Sequence, residues 1–484
     1  MGRHALFSAV VTCIVALGCG SSSDPAGGGG AGAGGSAQGG ATPAIVAEAG
    51  FVEAPPREVT VRGEDATIAA TARLFYNFIP ADGDAASKPV FVLFNGFSAN
   101  VVRGFGTGPY TVDDGGAVVE NPASLTKLAN LLYIEPRQAG FSYDVGGDVA
   151  TRCSAAVFNE YADAADVLFG VLSFLDSHPE LKGRIYWVGE SYAGVRIQWI
   201  LAFLRGAWSF APYADPSLAE RIAQLEDPSR LLAGQILLEP WLLGKPHADA
   251  IADACTEPSI VDGVSESVGA PCSPANACAC ASAHGRSPYN YAYTDVHQRA
   301  RITEANIAET SAETAPLFFG VPLESLDGLL AAERAKGFKC DIADADAPPQ
   351  DDLVAALGVL PPGQAYFLPY SPLQPGKELT TTPADWRDKA LLGPVFVDNL
   401  RDVPTFTTSG ARDLVVPGVA LAPAIATILG SDRVTASPTA INVAYDDGQR
   451  TIAVGQYASA GHMITMIEPA AFESDVEAWL ASLQ

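Results

Sequence analysis

The chain has 484 residues, 48% of them hydrophobic, and its 55 acidic residues outnumber 29 lysines and arginines to give a formal net charge of −26. This charge repels phosphates and anionic lipid surfaces. It therefore argues against nucleic-acid binding and against electrostatic attachment of the protein body to a membrane. The length and the apolar content allow a large hydrophobic core in a chain longer than one simple domain.

Residues 1–19 are typical of an export signal. Arg3 gives a positive start, and residues 5–17 form an apolar run. The run is shorter than the roughly 20 residues that a helix needs to span a bilayer. A cleaved leader is therefore favoured over a membrane-spanning helix.

The end of this leader, Ala-Leu-Gly-Cys, resembles a bacterial lipobox and predicts lipidation of Cys19, although Ala16 stands where leucine is more typical. Plain secretion is the alternative. Gly20 stands where an aspartate would indicate retention in the inner membrane, so we expect an outer-membrane lipoprotein facing the periplasm or the exterior. Residues 20–49 are rich in Gly, Ala and Ser and predict a flexible tether. Lipid would be the only membrane anchor.

Strand-like and helix-like segments alternate over 50–244 and again over 386–484, which predicts a mainly parallel sheet covered on both faces. The helix-like stretches include 161–175. The strand-like runs are 90–94, 130–134, 184–188, 234–238 and 403–409. Between the two parts, at 245–385, strand signals vanish and we expect an inserted cap over the active site.

Ser191 lies in the hexapeptide 189–194 (GESYAG), between a strand-like run and the helix-like 195–204. A serine on a sharp strand-to-helix turn exposes its hydroxyl, and the N–H after it can stabilise an oxyanion. Such a turn is crowded, and Gly189 and Ala193 supply small residues on either side. The alternative is an ordinary helix N-cap serine.

A serine nucleophile needs a base, and histidine is the usual one. His462 follows the strand-like 450–457 on a turn of small residues and is the predicted base; a structural histidine is the alternative. The others lie in the leader, at a polar helix end or in the predicted cap: His4, His178, His247, His284 and His297.

Asp413 follows the strand-like 403–409 and is the predicted carboxylate that orients the imidazole. The chain order Ser191, Asp413, His462 is the order expected of an α/β-hydrolase fold. The alternative is a surface aspartate paired with Arg412.

Six cysteines remain in the predicted mature body, and export favours up to three disulfides whose pairing stays open. They are Cys153, Cys255, Cys272, Cys278, Cys280 and Cys340. The spacing of the third to fifth lacks the paired form of a zinc site, so no metal is predicted. A closing amphipathic helix is predicted at 469–483. Its expected core residues, at helical spacing, are Phe472, Val476, Leu480 and Leu483.

Together these segments resemble the serine carboxypeptidase family. The hexapeptide 189–194 matches the family's nucleophile motif in full and is the specific signal. Supporting resemblances lie at 72–76, 89–96, 133–136, 140–143, 287–290, 409–410, 413–417 and 461–463.

The resemblance implies that Asn95 and a protonated Glu190 bind the C-terminal carboxylate of a peptide. A carboxyl group near a substrate carboxylate should have a raised pKa, so activity should fade with rising pH. The oxyanion donors would be the backbone N–H groups of Tyr192 and of the turn at Gly96 and Phe97. No cofactor is implied. The family contains monomers and dimers, so a homodimer is compatible with it.

The chain also departs from the family, which carries Asn-Gly-Gly-Pro-Gly and then Cys-Ser-Ser where residues 95–100 read NGFSAN. Leu93 replaces a tryptophan, and the family's acidic partner for its substrate-binding Glu falls near Gly106. The expected function is a serine-type carboxypeptidase acting on peptides. An esterase or acyltransferase on the same fold, and a non-catalytic surface binding lipoprotein, remain as alternatives.

Overall fold

The structure of this chain is a computed structural model. It describes residues 45–61, 63–95, 106–112, 118–139, 141–148, 159–208, 213–240, 320–321, 325, 328–329, 394–410, 421, 425, 434–436, 440–444, 451–458 and 460–483. The predicted leader, the cap at 245–385 apart from the few residues just given, and all six cysteines lie outside these ranges. The predicted domain boundaries therefore stay predictions.

The described strands are β1 (Glu48–Ala54), β2 (Arg57–Val61), β3 (Glu64–Ile68), β4 (Thr71–Ile79), β5 (Val90–Asn95), β6 (Tyr110–Val112), β7 (Val118–Glu120), β8 (Asn130–Ile134), β9 (Tyr143–Val145), β10 (Ile185–Glu190), β11 (Tyr213–Ala214), β12 (Gly234–Leu238), β13 (Thr405–Gly410), β14 (Val434–Ala436), β15 (Ala440–Ala444) and β16 (Thr451–Tyr457). The described α-helices are α1 (Glu160–Ser177), α2 (Ala193–Leu204), α3 (Pro216–Ala223), α4 (Pro394–Asp402), α5 (Ile464–Ile467) and α6 (Pro469–Ser482).

Within the described ranges, eleven strands form the main sheet, in the order β1-β4-β8-β5-β10-β12-β13-β16-β15-β14 with β9 beside β4. The strands from β8 to β16 run parallel, and antiparallel pairs flank them on both sides. This sheet confirms the α/β-hydrolase fold expected from the sequence.

The central strands are buried on both faces, because successive side chains alternate between two apolar layers. In β5, Val90, Val92 and Phe94 join one layer, and Phe91 and Leu93 join the other. Helices α1, α2 and α4 contribute to the first layer, and α5 and α6 to the second. The predicted sheet with helices on both faces is confirmed.

Most predicted element positions are confirmed, and the differences lie at the ends. The predicted strand 403–409 begins too early, because α4 runs to Asp402 and β13 begins at Thr405. Val403 lies between them and is buried. Its apolar side chain suits a buried position, which is not the same as a strand position. β1 begins at Glu48, inside the predicted tether, because Glu48 already pairs with Phe78.

The closing helix buries Phe472 and Val476 as predicted, and Trp479 as well, which the prediction omitted. Leu480 and Leu483 are only partly buried against the same layer. Trp479 lies one turn after Val476 on the same helix face. Its ring contacts Tyr186 and Phe406 edge-on or tilted, at centroid distances of 5.8 and 6.0 Å.

No helix in the part of the chain that the structure describes is long and apolar enough to cross a membrane.

Candidate active site

Ser191 lies on the turn that joins β10 to α2. Its backbone has φ of 61°, in the left-handed region that costs a side-chain-bearing residue about 1 kcal/mol or more. The serine is nearly buried, with 7% exposure. Helix α2 has Tyr192 at its N-cap position without a side-chain cap hydrogen bond, so Ser191 is not the N-cap of this helix.

The turn is crowded, as the sequence predicts. A Cβ at Gly189 would lie 2.6 Å from Ile197 Cδ1 and 2.9 Å from Ala193 Cβ. Both distances are shorter than carbon atoms tolerate. Glycine at this position therefore lets α2 pack directly against the end of β10.

The ends of four parallel strands bring the candidate residues to one edge of the sheet. Strands β10, β12, β13 and β16 are neighbours in that order. Ser191 follows the first, and His462 lies in the loop after the last. His462 is 4% exposed. Asp413 lies outside the described residues, in the segment that follows β13.

The histidine loop packs closely on the end of β13. A Cβ at Gly410 would lie 2.5 Å from Gly461 O and 2.8 Å from Ala460 O. Only a glycine therefore fits there. Gly410 also pairs with Tyr457 at the end of β16, which fixes the start of the histidine loop against β13.

Asn95 and Glu190, the residues expected to bind a carboxylate, end neighbouring strands. They are direct partners in the parallel pair of β5 and β10. Glu190 is buried. Gly96 and Phe97, the expected oxyanion turn, lie outside the described residues. Tyr192 precedes the first residue of α2, and a helix N-terminus favours negative charge.

A buried ion pair lies under this turn and was missed by the sequence analysis. Arg196 on α2 donates from Nε to Asp163 Oδ2 on α1 at 2.7 Å. Its guanidinium lies 5.4 Å from the ring centroid of Tyr192 and 5.3 Å from that of Phe94. Burial raises the pKa of Asp163 and the charge of Arg196 opposes this. An arginine as the one charged residue of α2 was the available signal.

A second buried network lies on the same face of the sheet. Asp166 on α1 contacts Arg57 at 2.7 Å through one oxygen and Arg137 at 2.6 Å through the other. Arg57 also contacts Asp215, and Arg137 contacts Asp144. Burial works against ionisation of Asp166, but the two arginines outweigh it and lower its pKa. The network ties α1 to the segments that carry the arginines.

Gly106, near which the resemblance to the serine carboxypeptidase family would place an acidic residue, has no room for a side chain. Its φ is 144°, and a Cβ there would lie 2.0 Å from Thr465 O. Asn121 Nδ2 donates to the carbonyls of Gly106 and Gly108 at 3.1 and 2.8 Å. The loop backbone thus lies directly against α5, just after His462, with no room for a side chain.

His178 belongs to the scaffold. It ends α1, with its Nδ1 2.8 Å from Phe174 O and its Nε2 2.8 Å from Glu48 Oε1. Glu48 also accepts a hydrogen bond from Tyr76 at 2.9 Å. This histidine therefore joins the helix end to strand β1.

The sheet and the strand–turn–helix unit at Ser191 are those of the α/β-hydrolase fold. Residues 49–204, which include that turn, match the family model described as serine carboxypeptidase. The resemblance to the serine carboxypeptidase family predicted from the sequence is confirmed over this segment.

Two relatives illustrate the extent of the match. The chain is 33% identical over 129 residues to serine carboxypeptidase S10 family member 1 of Dictyostelium discoideum, covering 25% of this chain and 29% of the relative. It is 32% identical over 128 residues to the lysosomal protective protein of Mus musculus, covering 25% and 26%. The matches span less than a third of these relatives.

Among solved structures, the chain is similar to Kex1(delta)p, a prohormone-processing carboxypeptidase from Saccharomyces cerevisiae. The TM-score is 0.52 at 15% identity, with 90% of this chain and 91% of that chain covered. At this identity the likeness concerns the fold.

Proposed function

We propose that this protein is a serine-type carboxypeptidase that releases C-terminal residues from peptides through an acyl-enzyme on Ser191. The observation that carries the proposal is the left-handed backbone of Ser191, with φ of 61°, at the junction of β10 and α2. A strained serine turn at the carboxyl end of a parallel strand is the arrangement that exposes a nucleophilic hydroxyl.

The proposed reaction is acyl transfer to water. His462 takes the proton of the Ser191 hydroxyl as its oxygen attacks the last peptide carbonyl, and Asp413 orients the imidazole. Backbone N–H groups of Tyr192 and of the Gly96–Phe97 turn stabilise the oxyanion. His462 then gives its proton to the leaving amine. Water hydrolyses the acyl-enzyme by the same proton transfers in reverse, and no cofactor is needed.

Recognition of the free C-terminus is assigned to Asn95 and Glu190. Their adjacency across β5 and β10 supports joint contact with one small anionic group. A protonated Glu190 would donate a hydrogen bond to the substrate carboxylate. Ionisation of Glu190 would instead repel it. Activity on free-acid peptides is therefore expected to fall as pH rises.

A direct test compares an N-blocked dipeptide with its C-terminal amide over a pH series, with Ser191→Ala as control. Preference for the free acid at low pH, lost in the Ser191→Ala variant, is the expected result. Equal rates on acid and amide would overturn the carboxypeptidase assignment.

A second candidate function is an esterase or acyltransferase. The altered sequence at 95–100 and the lack of room for an acidic side chain at Gly106 favour it, since both concern the carboxylate-binding side of the site. Turnover of an aryl ester without turnover of the free-acid dipeptide would decide for this candidate.

The proposal extends to location. We expect an exported protein whose Cys19 carries the lipid, whose tether at 20–49 spaces the enzyme from the membrane, and whose substrates are periplasmic or extracellular peptides. Disulfides among the six cysteines suit such a compartment. Labelling with a fatty-acid probe, lost in Cys19→Ala, is the test of the anchor.

A further inference from the structure

Glu239 stands at the end of β12, between the nucleophile strand β10 and β13. Its side chain is fully buried, at 0% exposure, and its backbone has φ of 42°, a region rarely used by residues with a side chain. The residue before it, Leu238, accepts a hydrogen bond from Ser191 N at 2.9 Å. The buried acid Glu239 is thus the next residue after the one whose carbonyl binds the backbone N–H of Ser191.

Two hydrogen bonds join Glu239 to β13. Its backbone N–H donates to Thr408 Oγ1 at 3.0 Å, and its Oε1 accepts from the N–H of Gly410. These contacts fix the carboxyl group at the end of β13, where the segment that contains Asp413 begins.

The same carboxyl group lies close to the histidine loop. A Cβ at Gly410 would lie 3.1 Å from Glu239 Oε1 and 2.5 Å from Gly461 O. The carboxyl oxygen and the peptide oxygen of Gly461, the residue before His462, therefore both lie beside Gly410.

We propose that Glu239 is an acidic positioning residue for His462, additional to the role proposed for Asp413, and that it orients the imidazole and stabilises its charged form. The inference rests on the proposed function, since it requires His462 as the base. A carboxylate close to an imidazole in a buried site favours the imidazolium that forms when the serine proton is taken.

Other titratable groups also lie at this edge. Glu190 ends β10, and Tyr457 ends β16 with its hydroxyl donating to Asp475 at 2.8 Å. Burial raises the pKa of Tyr457, and the charges of Asp475, Glu468 and Glu239 raise it further. Tyr457 therefore stays neutral at the pH values of the test below.

The test is the rate at which a fluorophosphonate probe labels Ser191, followed against pH. This reaction depends on the serine and its base and needs no substrate carboxylate. Glu239→Gln keeps an oxygen that can accept from Gly410 N–H but removes the charge. The matched control is Glu135→Gln, another fully buried acid after a strand, whose Oε2 accepts from Phe141 N–H.

For Glu239→Gln we expect a labelling rate about tenfold lower and an acid-side midpoint about one pH unit lower, as one lost pKa unit of imidazolium stabilisation predicts. Glu239→Asp should restore the midpoint. Asp413→Asn should slow labelling, and the double variant with Glu239→Gln should slow it further than either single variant. The control should label as the native chain does, and thermal unfolding checks that each variant is folded.

A native midpoint and rate in Glu239→Gln would overturn this inference while leaving the proposed function intact. Absence of labelling in the native chain itself would overturn the proposed function, and the inference with it.

Discussion

The backbone N–H of Ser191 donates to the carbonyl of Leu238 at 2.9 Å. This bond connects the residue after β10 to the last residue of β12. It holds the serine in its left-handed conformation from outside the turn, because the neighbouring strand supplies the acceptor. The strain at Ser191 is therefore sustained by the sheet rather than by the turn alone.

Replacing Ser191 by glycine separates this strain from catalysis. Glycine adopts a φ of 61° without steric cost, whereas alanine retains the Cβ. We expect Ser191→Gly and Ser191→Ala to be equally inactive and Ser191→Gly to be the more stable by about 1 kcal/mol. Urea unfolding of both variants measures the difference. Equal stability would show that the turn is unstrained in solution.

Gly189→Ala should damage the serine turn. The added methyl group would lie 2.6 Å from Ile197 Cδ1 and 2.9 Å from Ala193 Cβ. Rotation of the Ile197 side chain can relieve the first contact but not the second, so α2 must shift away from β10. We expect a loss of about 1–3 kcal/mol in stability together with slower fluorophosphonate labelling. Gly328→Ala is the control, because a Cβ there meets nothing within 4 Å. Unchanged labelling in Gly189→Ala would contradict the close packing of helix and strand.

Asp166→Asn should destabilise the fold strongly. It removes the carboxylate shared by two buried arginines, Arg57 and Arg137, which then keep only Asp215 and Asp144. Breaking a buried ion pair costs about 3–5 kcal/mol. The matched control on the same helix is Asp176→Asn, whose 65% exposed side chain pairs with Arg221 and should contribute at most about 1 kcal/mol. Chemical unfolding measures the loss of stability in both variants. Equal losses would show that the buried pairs of Asp166 contribute no more than the exposed pair of Asp176.

The pair of His178 and Glu48 should stabilise the fold within a limited pH range. Burial lowers the pKa of His178, but the hydrogen bonds with Glu48 and Phe174 outweigh it, so the net shift is upward from 6.5. The hydrogen bond with His178 lowers the pKa of Glu48 from 4.5, against burial. The histidine's contribution is complete below 6.5 and is lost as pH rises through its folded pKa. The glutamate's contribution is complete above 4.5 and is lost as pH falls through its own.

Glu48→Gln should therefore lower the unfolding temperature more at pH values between 4.5 and 6.5 than in alkaline buffer. The effect should stay below about 1 kcal/mol, because the pair is partly exposed. Glu53→Gln on the same strand is the control. Its partner Arg73 keeps its charge throughout, so no trend with pH is expected over this range.

The fold was largely predictable because its central strands are continuous apolar runs. A strand such as β5 is buried on both faces, so its sequence has no polar interruption and its bounds are visible. The serine turn was predictable for a different reason, since its crowding demands small residues at fixed positions around Ser191. Both signals are local in sequence.

Glu239 could not be found in that way, because its role depends on strand order. Glu239 contacts Gly410 across a sequence separation of 171 residues, and the contact exists because β12 and β13 are neighbours. A single acid after an apolar run resembles an ordinary loop residue until that neighbour is known. The prediction of a strand from Val403 was wrong for a related reason. Helix α4 ends beside this residue, and an apolar side chain alone does not distinguish a buried strand from a buried connection.

The edge strand β1 determines how mechanical force would enter the fold. Its seven residues all pair with β4, and Glu48 at its first position is also fastened through Tyr76, Asn77 and His178. A pull on the preceding chain, directed along β1, stretches these bonds together instead of opening them one at a time. Strands β4, β8 and β5 stand between this edge and β10. Tension from the anchor proposed at Cys19 would thus load the edge of the sheet, with three strands between that edge and β10.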